Sequence, residues 1–245
     1  MTRSVDYDSR RKAILAATIK QYINEALPIS SEDICESFYL SSATIRNIFA
    51  ELEDSGYLAQ PHTSAGRVPT VKGYRYYVDF LLSQFELLDE EKERIVNEYH
   101  RQISRLEDAL ELTSDVLSQI THYTSIVSFL EWHDKFFYKG ISSILEEPEF
   151  QDVGRMRLLI NMLEEKERLL DIINRDFKEK VKVYIGQELG FSGMEGCALA
   201  VSNYSLNNRP IGRIAVLGPA RMKYDRIIPA LEYISNVLEH VLEEI

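Results

Sequence analysis

Between Asp8 and Ala26 the inward positions Ile14, Leu15, Thr18, Ile19, Tyr22 and Ile23 recur every three or four residues, the spacing of a helix with one buried face. Pro28 ends that helix. Ser30 or Ser31 then caps a short second helix, with Glu32 and Asp33 in the first turn where the helix dipole favours acids. It carries Ile34, Phe38 and Tyr39 inward. A third helix opens at Ser41 or Ser42. Its buried face is Ile45, Ile48, Phe49 and Leu52, at i, i+3, i+4 and i+7. Gly56 closes it. Three short helices, the last two separated by a brief turn, predict a helix-turn-helix unit.

The pattern changes after Gly56. Tyr57–Gln60 alternates briefly, and PHTSAGRVPT cannot be helical because it holds two prolines, a glycine and small polar residues. Thr70 caps the next helix, KGYRYYVDFLL. Strand, basic loop and return form the layout of a wing. From 82 to 130 one long helical pattern runs without Pro or Gly. Leu88, Ile95, Tyr99, Leu106, Leu110, Leu117 and Ile120 form either a seam for a second copy or the inner face of a helix on its own domain. A turn near Gly140 leads to helices over 141–177, broken around Pro148. Strands follow at 181–186, 196–204 and 211–218, the last two joined by the turn SLNNRP. A final helix covers Tyr224–Glu243. The expected fold is α+β: a winged helix-turn-helix over 1–80, a helical connector over 81–135, and an α+β module over 136–245.

Composition narrows the class. The 245 residues are 45% hydrophobic and 27% charged, as in soluble globular proteins. No apolar run approaches the roughly 18 residues of a membrane span, and the charged start MTRSVDYDSRRK contains no signal-peptide core. Two cysteines build neither a disulfide framework nor a zinc site, so the expected location is the cytoplasm. The net charge of −11 argues against nucleic acid until it is divided along the chain. Residues 1–80 carry nine Lys/Arg against ten Asp/Glu, and the positives cluster in acid-free stretches, Ser9–Asn24 and Ser55–Val78. The acidity lies in the rest of the chain and leaves the front end able to meet phosphates.

The third helix is the best candidate site. Its outward side shows Ser42, Ala43, Thr44, Arg46, Asn47 and Ala50. Arginine pairs with guanine O6/N7, asparagine with adenine, and a Thr or Ala methyl touches thymine. An ordinary solvated face is the alternative. In the loop, His62, Thr63 and Arg67 form a small basic tip suited to the backbone or the minor groove. Lys72 and Arg75 are placed to hold phosphates. Tyr74, Tyr76 and Tyr77 serve to cement wing to helix. The five histidines have no HExxH or HxH spacing, so neither metal nor cofactor is expected. Trp132-His133-Asp134 reads as structural, the glycines at 186–196 fit no phosphate loop, and no catalytic site emerges.

One string is far more specific than a generic helix-turn-helix. LSSATIRNIFAELEDSGYLAQPHTSAGRVPTVKGYRYYVD closely resembles the signature of the HrcA family, bacterial heat-inducible transcription repressors. GISSILEEPEF and RPIGRIAVLGPARMKYDRIIPALEYI resemble that family's closing GAF-like segment. The resemblance implies a homodimer bound to double-stranded DNA at an inverted repeat called CIRCE, and an active fold that depends on the GroEL chaperonin. It also implies a departure. Between TSIVSFLEW and FYKGISSILEEPEF few residues remain where the family has a long stretch, so the inserted dimerising domain and the first GAF-like strands are expected to be missing. The helix over 82–130 is then the candidate dimerisation element. Two other functions remain open: a repressor of a different regulon, and a sensor or interaction protein acting through the C-terminal module.

Overall fold

The computed structural model describes residues 2–62, 65–81, 89, 91–93, 95, 106–132 and 135–244. The chain divides into two units, Met1–Phe80 and Leu81–Ile245.

In the first unit α1 (Thr2–Glu25) starts earlier than its apolar periodicity and buries Ile14, Leu15, Thr18, Ile19 and Ile23. The Thr18 hydroxyl donates to the Ile14 carbonyl at 2.7 Å, so the polar group enters the core already satisfied. Then come α2 (Ser31–Phe38) and α3 (Ser42–Asp54). Gly56, at φ +75°, ends α3. Its N–H donates to Glu53 O and that of Tyr57 to Leu52 O, both at 2.8 Å, which closes the helix with a Schellman pair. The wing is β1 (Leu58–Ala59) antiparallel to β2 (Val68–Pro69). Thr70 Oγ1 accepts from Gly73 N at 3.2 Å and caps α4 (Val71–Leu81), as its position predicts.

A third strand-like contact was not legible in the sequence. Ile29 and Arg67 bridge antiparallel, with N–H to O distances of 2.9 and 2.7 Å. The wing thereby attaches to the residue that precedes α2. The approach is so close that a Cβ on Gly66 would lie 2.3 Å from the Ile29 carbonyl oxygen.

The second unit is built on one five-stranded sheet. Its strands are β3 (Thr124–Phe129), β4 (Phe136–Lys139), β5 (Val181–Ile185), β6 (Cys197–Leu206) and β7 (Arg209–Pro219). They lie in the order β4-β3-β7-β6-β5, all antiparallel. Asn207 and Asn208, both at positive φ, turn β6 into β7. On one face lie α5 (Leu106–Thr121) and the final helix α9 (Tyr224–Glu244). On the other lie α6 (Ile141–Leu145), α7 (Val153–Glu164) and α8 (Lys166–Ile173). There Ile126, Leu199, Val201, Ala215 and Leu217 of the sheet meet Ile144, Leu159, Met162, Leu169 and Ile173 in one core. Each of the larger side chains among them contributes about 1.5–3 kcal/mol on leaving water. The result is the α+β, GAF-like architecture expected, with two corrections.

First, the opening strands are present. Residues 124–129 and 136–139 pair with each other, and β3 also pairs with β7 from Thr124↔Leu217 to Phe129↔Gly212. A module boundary at 135/136 therefore cuts the sheet. Second, the helix expected to reach residue 130 stops at Thr121, and two residues later Thr124–Phe129 are held by β7. Leu110 and Leu117 are buried within their own unit, on the side of α5 that meets α9 and the sheet. That stripe is not a seam for a second copy. Of the rest of the expected seam, Ile95 is buried and Leu106 and Ile120 are half-buried, while Leu88 and Tyr99 lie outside the described residues, as does His133-Asp134.

Two arginines join the loops to the sheet. Arg213, fully buried, donates from Nε to Asn203 Oδ1 at 2.6 Å and from Nη1 to Ile173 O at 2.7 Å. Its guanidinium lies 4.5 Å from the Phe177 ring centroid, and burial lowers its pKa. Arg221 pairs with Glu149 at 2.6 Å and with Glu147. Burial opposes its charge, yet the two carboxylates hold its pKa above the ordinary arginine value. No described helix is long and apolar enough to cross a membrane, and no described cluster of His, Cys, Asp or Glu suits a metal ion.

Two predictions test this packing. Gly66→Ala should separate the wing from Ile29 and lower stability by about 2–3 kcal/mol in a urea titration. A loss below about 0.5 kcal/mol would mean the close approach is not required. Burial pushes the Cys197 thiol from 9.0 up to about 12. A thiol protonated longer in the folded than in the unfolded chain stabilises fully below pH 9, and that stability is lost as pH rises towards 12. Between pH 8 and pH 10 the native chain should therefore lose about 1.4 kcal/mol relative to Cys197→Ala. Parallel urea curves for the two proteins at both pH values would refute it.

Candidate nucleic-acid interface

The site starts with the caps that set α2 and α3. Ser30 Oγ accepts from Glu32 N at 3.2 Å and Asp33 N at 3.3 Å, while the Asp33 carboxylate accepts from Ser30 N at 2.7 Å. This reciprocal box fixes where α2 begins. Tyr39 leaves α2 in the left-handed region at φ 53°. Ser41 then caps α3 by accepting from Thr44 N at 3.2 Å. Of the two serine pairs left open by the sequence, Ser30 and Ser41 are the caps. Ser31 and Ser42 are free for another task.

With Ile45, Ile48, Phe49 and Leu52 buried as their spacing predicts, α3 presents Ala43, Arg46, Asn47 and Ala50 fully outward. Ser42 and Thr44 are half-buried. The Thr44 hydroxyl lies 2.9 Å from Ser41 Oγ. Arg46 leans back towards α2: Nη2 donates to Ser42 Oγ at 3.0 Å and Nε to Ser31 Oγ at 3.3 Å. Its side chain keeps 67% of its surface exposed, and Glu32 stands 3.9 Å away. The outward side of α3 is thus small methyls around two hydrogen-bonding side chains, a surface able to approach base edges closely.

The wing residues divide. His62 is exposed, and its carbonyl accepts from Ala65 N at 2.9 Å within the loop. Thr63 lies outside the described residues. Arg67, expected at the tip, is at the base. The Ile29 bridge holds its backbone, so its side chain turns towards α3, where Nη2 meets Glu53 Oε2 at 2.9 Å with only 18% of the side chain exposed. An arginine committed in this way supports the wing at its base. Its Nε is buried without a hydrogen bond to any described residue. A cleft of about 340 Å³ separates the wing base from the helices, lined by Ser30, Ser31, Arg46, Gln60, Gly66 and Arg67 among others.

Lys72 is at the far end of α3, about 18 Å from Ser42 at the helical rise. Its Nζ donates to Ser55 O at 2.9 Å and lies 4.4 Å from the Tyr57 ring centroid. A cation on the terminal carbonyls complements the helix dipole. Arg75 is half-buried on α4. Tyr74 and Tyr77 are buried, and Tyr76 stacks edge-on against Tyr57 at 5.9 Å, so the tyrosines cement the wing as expected. The structure therefore brings Ser42, Arg46 and Asn47 to one end of α3 and sets Lys72 apart. Ser31 was missed as more than an alternative cap, because its partners lie 11 and 15 residues away and no local pattern joins them.

Comparison with known proteins agrees along the whole chain. The pattern of the HrcA protein C terminal domain matches residues 129–228. The heat-inducible transcription repressor HrcA of Pelotomaculum thermopropionicum is 28% identical, covering 97% of both chains. That of Geobacter sulfurreducens is 29% identical, covering 97% of this chain and 99% of its own. The first alignment runs over 339 positions against 245 residues here, so at least 94 positions of that relative have no counterpart. A crystal structure described only as a hypothetical protein superposes with a TM-score of 0.79 at 21% identity. It covers 96% of this chain and 98% of that one. With the signature at 40–79 lying on α3, the wing and α4, and the matched C-terminal pattern lying on the five-stranded sheet, this chain is similar to the HrcA repressors over nearly its whole length, in a shortened form.

Proposed function

We propose that this chain is a heat-inducible transcription repressor that silences chaperone operons in the cytoplasm by binding a CIRCE-type inverted repeat as a homodimer. The observation that carries this reading is the end of α3, where Arg46 and Asn47 stand outward among alanines on a helix fixed by caps at both termini. The names of the relatives, matched over nearly the whole chain, support the same role. They also support a regulator and not an enzyme.

In this reading Ser42, Thr44, Arg46 and Asn47 meet the major groove, Arg46 on a guanine and Asn47 on an adenine. His62 and Thr63 act from the wing on the adjacent backbone. Lys72 and Arg75 add positive charge beside the phosphates, and Arg67 keeps the wing at its angle to α3. A two-fold dimer places two such helices on the two halves of the repeat. Dimerisation falls to the part of 82–130 that precedes Leu106, since α5 from Leu106 onward is engaged with its own sheet. GroEL sustains the active form, and heat stress, by drawing GroEL to unfolded chains, relieves repression.

Arg46→Ala should cost about 1–3 kcal/mol on the repeat and much less on a scrambled duplex at the same salt. Equal losses on both would make Arg46 a phosphate contact. In gel shifts of the native chain, GroEL should strengthen binding to the repeat. Binding indifferent to GroEL would remove the chaperonin from the mechanism, and the absence of any preference for the repeat would remove the operator assignment.

A further inference from the structure

The first turn of α2 holds a buried hydroxyl that faces the recognition helix. Ser31 is 9% exposed, and its Oγ lies 2.6 Å from Ser42 Oγ while accepting from Arg46 Nε at 3.3 Å. Ser42 Oγ in turn accepts from Arg46 Nη2 at 3.0 Å. Two hydroxyls on two helices therefore occupy one edge of the guanidinium, the Nε–Nη2 edge. Nη1 makes no hydrogen bond to a described residue. The free end, Nη1 with the second Nη2 hydrogen, is the fork that matches a pair of acceptors such as guanine O6 and N7.

We infer that Ser31 is a positioning residue for DNA recognition: from α2, and without touching DNA itself, it sets the rotamer in which Arg46 offers its free edge to a base. The inference rests on the proposed reading of α3 as the base-reading element. The physical ground is entropic. An exposed arginine samples many rotamers and must give them up on binding, whereas one already held on two oxygens loses less at that moment. Glu32 does not replace the serine, because at 3.9 Å and 79% exposed it forms a screened surface pair. Ser31 is itself well fixed: it is the first residue of α2, directly after the Ser30 cap, and its carbonyl accepts from Cys35 Sγ at 2.9 Å.

The test uses the full chain, a labelled CIRCE-type duplex and a scrambled duplex at one salt concentration, with the variants Ser31→Ala, Ser31→Thr, Arg46→Ala and the double change S31A/R46A. Ser31→Ala should weaken binding to the repeat about three- to tenfold and leave binding to the scrambled duplex unchanged. Ser31→Thr should restore binding, and Ser31→Ala should add nothing in the Arg46→Ala background. An unchanged affinity for the repeat, an equal loss on both duplexes, or the same loss with and without Arg46 would each overturn the positioning role. A native chain without preference for the repeat would overturn the function reading and this inference together. Native preference with an unaffected Ser31→Ala overturns the positioning role alone.

Discussion

Two backbone hydrogen bonds between Ile29 and Arg67 fix the wing to the start of α2, and the geometry of the first unit depends on them. The bridge lets the chain just before α2 serve as a third strand beside β2. Because α2 and α3 are joined through a three-residue turn and through the Ser31–Ser42 contact, the wing inherits a defined angle to the outward face of α3. Only a glycine at 66 permits the approach, since any Cβ there would enter the Ile29 carbonyl.

The same constraint redistributes the positive charge. A count of arginines and lysines treats Arg46, Arg67, Lys72 and Arg75 as equivalent. In the fold Arg67 is spent on Glu53 and Lys72 on the end of α3. Each of these cations holds part of the first unit in place. Arg46 differs because its hydrogen-bond partners are neutral hydroxyls, with the exposed Glu32 carboxylate only at 3.9 Å. Charge-assisted pairs with a carboxylate would have to be broken for base contact, whereas hydroxyl partners on one edge leave the other available.

In the second unit the sheet is completed by a strand that sequence patterning hid. TSIVSF follows a long helix with no intervening Gly or Pro, and its apolar residues fit helical spacing as well as a strand. Pairing with β7 decides the matter, because β3 then buries both of its faces, one against α5 and one against the core below α7 and α8. The shortened chain therefore retains a continuous five-stranded antiparallel sheet although at least 94 positions of a relative are unmatched. Arg213 and Arg221 show how the segments around the sheet are held: Arg213 on β7 donates to the last carbonyl of α8, and Arg221 just after β7 pairs with Glu147 and Glu149.

By itself the sequence determined the helix-turn-helix, the wing, the buried face of α3, the final three strands and the last helix. Each is written in local periodicity, in caps, or in turn residues such as Gly56 and Asn207-Asn208, where the physics acts within a few residues. It also determined which face of α3 points outward, since burying four apolar side chains leaves no other choice. Tertiary structure alone decided where Arg67 goes, what Ser31 touches, where the long helix ends and that 124–129 is a strand. These depend on hydrogen bonds and packing between residues 11 to 93 positions apart, and no local pattern specifies a partner at such distances.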